Sequence, residues 1–416
     1  VRYENWIQFE VLSTEEVEVK DSTAKRDSSA RKTPPKKERK KYFFEYNINT
    51  GELVELTGYK KPKRRPQWAS ISPNGETVLF ARRFNLYMMD KANYEKALQN
   101  EDDSTIKEVQ LTTDGVEYFE YGNAQNENNV DKEKNKNKRK PVFAWWSPDS
   151  KQFALIRNDN RAVKELWVIN SIAEPRPTLE TYKYHMPGEK EAPVQYVLLF
   201  DPVAKTKKEL VIKQYKDQNI AIWGKPVPAN TRDDDYRPNI WLGTPADFYF
   251  TRTSRDLKRI DVCKVAVATG AVQPLITENM NTYVETRRLG VVNNGAELIQ
   301  WSERDGWAHF YLYDGAGKLK NQITQGPFHC EDIVGIDEKA RVLYFTANGL
   351  ERSEDPYYQH LYRINFDGSG LRLLNKGEAE HDALMSDDEK YFVNNSSTVA
   401  SAPASALYNS EGRKLM

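Results

Sequence analysis

The 416-residue sequence predicts an all-β fold, a β-propeller of four-stranded blades, on three observations. A strand, a polar turn and a second strand recur, as in WASISPNGETVLFAR (68–82) and FAWWSPDSKQFALIR (143–157). Hairpins of one grammar close the successive units. Apolar residues at helical spacing are nearly missing, whereas period-two alternation is frequent.

The opening turns, in chain order, are Pro73-Asn74-Gly75, Asp149-Ser150-Lys151, a weaker one around 244–247, Asn293-Asn294-Gly295, Asp337-Glu338-Lys339 and Asp387-Asp388-Glu389. The last four lie about 44 to 50 residues apart, the period of a four-stranded blade. The closing hairpins are YNINTGELVELTG (46–58), VLLFDPVAKTKKELVI (197–212), CKVAVATGAVQPLIT (263–277), FYLYDGAGKLKNQIT (310–324), LYRINFDGSGLRLLN (361–375) and LYNSEGRKLM (407–416). Each is an alternating strand, a turn rich in Gly, Asp or Lys, and a second strand. Tight turns need positive φ, which Gly, Asn and Asp supply at low cost, and alternation lets a sheet face meet its neighbour. Six units are counted from Trp68 onward if 141–212 is one blade with an insertion over 171–195, and a seventh spans 4–58. The expectation is one propeller domain over 1–416 with about seven blades, an incomplete eight-bladed ring being the other count. Paired β-sandwiches would not impose this recurrence.

Two polar segments interrupt the pattern. KDSTAKRDSSARKTPPKKERKK (20–41) carries ten basic residues against three acidic ones, and NAQNENNVDKEKNKNKRK (123–140) is similar. Neither offers apolar surface to offset ordering entropy, so both are expected to be mobile loops. They lack the interleaved aromatics that stack on nucleic-acid bases. With 61 basic and 61 acidic residues no global field draws the chain to nucleic acid, and no nucleic-acid partner is expected. A mean hydropathy of -0.78, with no apolar run near the roughly 18 to 20 residues that cross a bilayer, gives no membrane span in this chain. The first residues, VRYENWIQFE, carry neither a Met nor the basic and apolar regions of a secretory leader. The expectation is a piece cut from a longer chain whose cellular address lies in the missing part.

Catalytic constellations are hard to find. The G-x-S-x-G elbow is absent, and Phe366-Asp367-Gly368-Ser369-Gly370 sets its glycines at the wrong offsets. Phosphate-loop and dinucleotide fingerprints are missing. His185, His309, His329, His360 and His381 show no metal-ligand spacing and read as surface or blade-packing residues. Cys263 and Cys330 allow one bridge at most and no CxxC site. No catalytic residue, metal site or cofactor is expected.

One resemblance adds to this reading. WWSPDSKQFALIRND (145–159), followed by PRPTLETYKYHMPGEKEAPVQYVLLFD (175–201) with Tyr184-His185-Met186-Pro187-Gly188, resembles the propeller domain of dipeptidyl-peptidase IV-like enzymes in the prolyl oligopeptidase group of serine peptidases. WSERDGWAHFYLYD (301–314), VLYFTANG (342–349), HLYRINFDGSG (360–370) and a last blade with Ala406-Leu407-Tyr408 follow in the family's order, from about Tyr42 to the end. The resemblance implies an eight-bladed propeller, here lacking all or part of its first blade, that caps a following α/β-hydrolase domain bearing the Ser-Asp-His triad. This chain alone would then be non-catalytic, gating and positioning peptide substrates. It also leans toward a periplasmic or extracellular home.

In that family two adjacent glutamates on a short propeller helix upstream of the WWSP blade hold the substrate's ammonium. The corresponding stretch here, GVEYFEYGNAQNENN (115–129), has Glu117 and Glu120 without a Glu-Glu pair. These two are the candidate substrate-binding residues, the plain reading being charges at a strand edge. Dipeptidyl, tripeptidyl, acylaminoacyl and endopeptidase activities of a parent enzyme stay open. The alternatives are a free-standing protein-binding propeller, which the missing Gly-His and Trp-Asp dipeptides disfavour, and a glycan-processing one.

Overall fold

The structure is a computed structural model that describes residues 2–3, 5–19, 36–59, 65–122, 129–227 and 237–416. Where one domain was expected, contacts group the chain into two compact units. The first is Val1–Pro66 with Leu98–Glu101 and Val227–Arg237, and the second is Gln67–Ala97, Asp102–Pro226 and Pro238–Met416.

The first unit is a four-stranded antiparallel sheet of Arg2–Tyr3, Trp6–Val19, Lys36–Asn47 and Leu53–Glu55 in chain order. Its centre is a long hairpin whose register runs from Trp6↔Asn47 to Val19↔Lys36, with an irregularity between Leu12 and Glu16. Of the polar segment 20–41, residues 20–35 lie outside the described residues, and 36–41 are strand rather than loop. The register set by the apolar part of the hairpin, where Phe9 stacks on Phe44, continues into the charged part. There opposite charges face across the ladder, as in Lys41–Glu10 at 2.8 Å and Lys40–Glu15 at 3.4 Å.

The second unit holds six antiparallel meanders, built as the sequence predicts for propeller blades. They run over Ser70–Ile71 to Val109–Gln110, Trp145–Trp146 to Thr206–Glu209, Asn219–Ile222 to Ala271–Asn279, Gly290–Val292 to Leu319–Gln322, His329–Asp337 to Arg372–Leu373, and Glu380–Met385 to Ala404–Asn409. The last has three strands among the described residues. With the sheet of the first unit this makes seven meander sheets among the described residues, the number of blades counted from the sequence, and a two-stranded ribbon is an eighth sheet.

The repeated SPN/SPD phrase is a hydrogen-bonded turn. Ser72 Oγ donates to Asn74 Oδ1 at 2.7 Å and accepts from the Thr77 amide at 3.0 Å. Ser147 does the same with Asp149 and the Gln152 amide, at 2.7 and 2.9 Å, and Ser386 with Asp388 and the Tyr391 amide, at 2.7 and 3.1 Å. Ser254, Asp256 and Arg259 repeat it in a later hairpin. A serine two residues before an Asp or Asn thus closes the chain reversal from within, which local side-chain bonding to the backbone permits.

Between the turns, central strands such as Val342–Asn348 are buried on both faces, whereas Tyr391–Ser397 in the last meander alternates exposed and buried residues. In Val342–Asn348, Leu343, Phe345 and Ala347 pack with Ile299, Trp301 and Phe310 of the preceding sheet, while Val342 and Tyr344 pack with Phe392 of the following one. A strand covered on two sides reads as a continuous apolar run rather than a strict alternation. Cys263 and Cys330 are free thiols, each buried in a separate inter-sheet cluster. His309, His360 and His381 are likewise buried, and each is hydrogen-bonded within its own meander, to Thr324, the Asn375 carbonyl and Asn394.

Two departures concern the second and third meanders. The insertion appears as a separate two-stranded ribbon, Glu165–Asn170 paired with Thr178–Lys183, placed between strands Phe153–Asp159 and Val194–Asp201. The weak turn around 244–247 is a small hairpin, Gly243–Thr244 against Asp247, while Asn219–Ile222 supplies the strand beside Asp247–Thr253. The chain between them returns to the second sheet, where Ile240 pairs in parallel with Trp146 and Trp241 is fully buried.

Phe345→Ala is expected to lower unfolding free energy by about 3–5 kcal/mol in denaturant titration, since it empties a sealed inter-sheet space. A second test concerns Glu297, a buried carboxylate that accepts from both terminal nitrogens of Arg341, at 2.7 and 3.2 Å, and from Lys320. Arg341 foremost, with Lys320, holds its pKa at about 2 against an ordinary 4.5, although burial pushes the other way. A folded-state pKa below the unfolded one gives stability that is full above pH 4.5 and lost as pH falls toward 2. Melting curves of Glu297→Gln should therefore show a flatter acid limb across that window.

Candidate functional site

The candidate site grows from one buried cation. Arg157 lies in strand Phe153–Asp159 on the same face as Phe153 and Leu155, and its side chain is only 2% exposed. One terminal nitrogen donates to Asp114 Oδ2 at 2.8 Å and to the Tyr121 hydroxyl at 3.0 Å. The other donates to the Asp114 and Phe119 carbonyls, at 2.9 and 2.7 Å. The guanidinium stacks on the Phe119 and Tyr121 rings, 3.3 and 4.1 Å from their centroids.

Lys207, from strand Thr206–Glu209, adds contacts of 2.8 Å to Asp114 Oδ2 and 3.0 Å to the Tyr121 hydroxyl, which itself donates to Asp114 Oδ1. Burial pushes the Asp114 carboxyl up, but bonds from Lys207, Arg157 and Tyr121 outweigh it and hold that carboxyl well below the carboxylate range. Residues 114–121 are thereby tied at both ends.

Between those ties the chain makes a tight reversal. Val116 and Phe119 exchange backbone hydrogen bonds of 3.2 and 3.0 Å, and Tyr118 takes φ +62°. Gly115 leaves no room for a side chain, because a Cβ there would run into the Phe84 carbonyl. Glu117 is exposed at the tip and Glu120 is half-buried. Both line one cavity of about 830 Å³, together with Tyr118. That volume lies inside the range of about 300–1,000 Å³ usual for small-ligand sites.

The other walls come from the turn after Thr77–Arg82, from helix Asn129–Asn135 with the residues after it, and from the ribbon strand Thr178–Lys183. Of the polar segment 123–140, residues 123–128 lie outside the described residues. The remainder forms that helix and then pairs Lys140 with Ala81, instead of the expected loop. Lys183 and Lys132 stand over the Tyr118 ring, 4.7 and 5.8 Å from its centroid. Burial, then the charge of Glu117, pushes the Tyr118 hydroxyl pKa up, so Tyr118 is a neutral donor at working pH. The wall thus offers carboxylates and a phenol at one tip, with cations around them.

The two sequence candidates are therefore brought to a single cavity, on a tight turn rather than a helix. Arg157, Asp114, Tyr121 and Lys207 were not singled out from the sequence. A signal for Arg157 was available, since FALIR places an arginine where alternation asks for a core residue.

The family model described as the dipeptidyl peptidase IV (DPP IV) N-terminal region matches residues 29–403, the site turn included. The chain belongs to the dipeptidyl peptidase IV N-terminal region family. Among its relatives, the protein named "Probable dipeptidyl-aminopeptidase B" from Ajellomyces dermatitidis is 26% identical over 364 residues, covering 80% of this chain and 35% of that one. Dipeptidyl peptidase 4 of Arthroderma otae is 23% identical over 364 residues, covering 83% and 41%. The crystal structure of Porphyromonas gingivalis dipeptidyl peptidase 4 superposes with a TM-score of 0.64 at 21% identity, over 91% of this chain and 48% of that one. At that identity the likeness concerns the fold, and it agrees with the propeller reading. The chain spans between about a third and a half of the length of these relatives.

In this dipeptidyl peptidase IV N-terminal region, Arg157→Gln should lower stability by about 2–3 kcal/mol, the scale of lost hydrogen bonds to a charged group discounted for the partly exposed Asp114. Amide exchange of residues 116–121 should accelerate at the same time. Arg157→Lys should rescue little, because an ammonium cannot reproduce the planar fork.

Proposed function

We propose that this chain is the non-catalytic propeller part of a dipeptidyl peptidase IV-like serine peptidase, gating and positioning peptide substrates for a following α/β-hydrolase domain. The observation that carries the reading is the convergence of Glu117 and Glu120 on one peptide-sized cavity, on a turn that Arg157 fixes. Two carboxylates on a fixed turn suit an ammonium: they neutralise it with charge-assisted hydrogen bonds and hold it at a set distance from a reacting bond. The substrate's free N-terminus is then the ruler, and the hydrolase domain supplies nucleophile, base and oxyanion hole. Peptide release from the amino end by the whole protein follows from the same reading, in keeping with the names of its relatives.

Titration calorimetry of this chain with a short peptide provides the test. A tetrapeptide amide with a free amino end should bind, and its N-acetylated form should bind at least about tenfold more weakly, given roughly 1.5–3 kcal/mol per hydrogen bond to a charged group. Glu117→Gln and Glu120→Gln should remove most of that difference. Equal binding of the free and acetylated peptides would sink the amino-group reading and leave a general protein-binding propeller.

A further inference from the structure

The cavity that holds Glu117 and Glu120 also carries two cations with no acidic partner among the described residues. Arg82 is paired with Glu108, Lys136 with Glu133, and Lys183 with Glu165 at 3.6 Å. Arg83 and Lys132 differ. Arg83 donates through Nε to the neutral Asn137 amide at 2.7 Å, and Lys132 rests over the Tyr118 ring. Neither has a carboxylate within 4 Å among the described residues, yet both line the same cavity.

Two cationic side chains beside two carboxylates make a wall suited to a zwitterion. An ammonium satisfies Glu117 and Glu120 but does nothing for Arg83 and Lys132, which also repel a ligand that is only cationic. A ligand with a carboxylate near its amino end answers both arms, and the partly enclosed setting strengthens each contact relative to open water.

We infer that this cavity selects peptides bearing a carboxylate close to the free N-terminus, with the ammonium on Glu117 and Glu120 and the carboxylate on Arg83 and Lys132. The inference rests on the amino-group reading above. The carboxylate has two sources, an Asp or Glu side chain in the first residues or the C-terminal carboxylate of a di- or tripeptide. Either presents the same anion to the same cations.

Calorimetry at low salt with four peptides separates these cases: Asp-Ala-Ala-Ala amide, Asn-Ala-Ala-Ala amide, trialanine with a free carboxylate and trialanine amide. The expected result is a preference of about threefold to tenfold for the acid over its neutral counterpart in at least one pair, fading as salt rises. The pair that shows it identifies the source. Lys132→Gln, on a surface helix, and Arg83→Gln should each reduce the preference, while the amides, which carry only the ammonium, should bind no more weakly than before. Unchanged melting temperatures guard against a folding effect, and Lys132→Gln decides the matter if Arg83→Gln disturbs the turn through Asn137.

Equal binding of acidic and neutral peptides, with Glu117→Gln and Glu120→Gln still weakening both, would overturn this inference and leave the amino-group reading standing. Indifference of all four peptides to the glutamate variants would overturn both.

Discussion

Four hydrogen bonds and two ring contacts converge on the guanidinium of Arg157, and the geometry of the candidate site depends on them. Two of the bonds end on backbone carbonyls, so the cation grips the path of the chain as well as its side chains. A buried cation without partners would carry a large desolvation cost, and here a carboxylate, a phenol, two carbonyls and two ring faces meet it. The reversal at 116–119, with a tyrosine at positive φ, is held between those contacts. Glu117 and Glu120 inherit their positions from a residue some forty positions later in the chain.

The same device recurs one sheet further on. Arg252, in strand Asp247–Thr253, is buried against Asp261 at 2.7 Å and donates to the Ile212 carbonyl at 2.9 Å, while Tyr215 and Thr277 also donate to Asp261. In both places an arginine from a central strand fixes the connection that precedes its own sheet. Arginine fits this use because its fork reaches a carboxylate and a carbonyl together and never loses its charge. The apolar sheet faces give the meanders their stacking, and these two arginines give the connections their course.

How far the sequence could be read varies along the chain. The SPN and SPD phrases announced hairpins because serine and Asp or Asn close the turn through bonds spanning only five residues. The closing hairpins were legible for the same reason. The charged stretch 36–41 was not, since its strand character comes from a partner at 12–19 that composition does not reveal. The parallel return of Asn239–Trp241 to an earlier sheet was equally hidden, because its partner Trp146 lies nearly a hundred residues away.

By itself the sequence determined the all-β class, the blade period and the turn chemistry, because each rests on residues close together in the chain, while Glu117 and Glu120 stood out only through the resemblance to a family. Tertiary structure decided that those glutamates share a cavity, that a helix and a ribbon from separate segments wall it, and that Arg157 holds its turn in place. These depend on contacts between distant segments, where packing and desolvation choose the partners and local pattern carries no record of the choice.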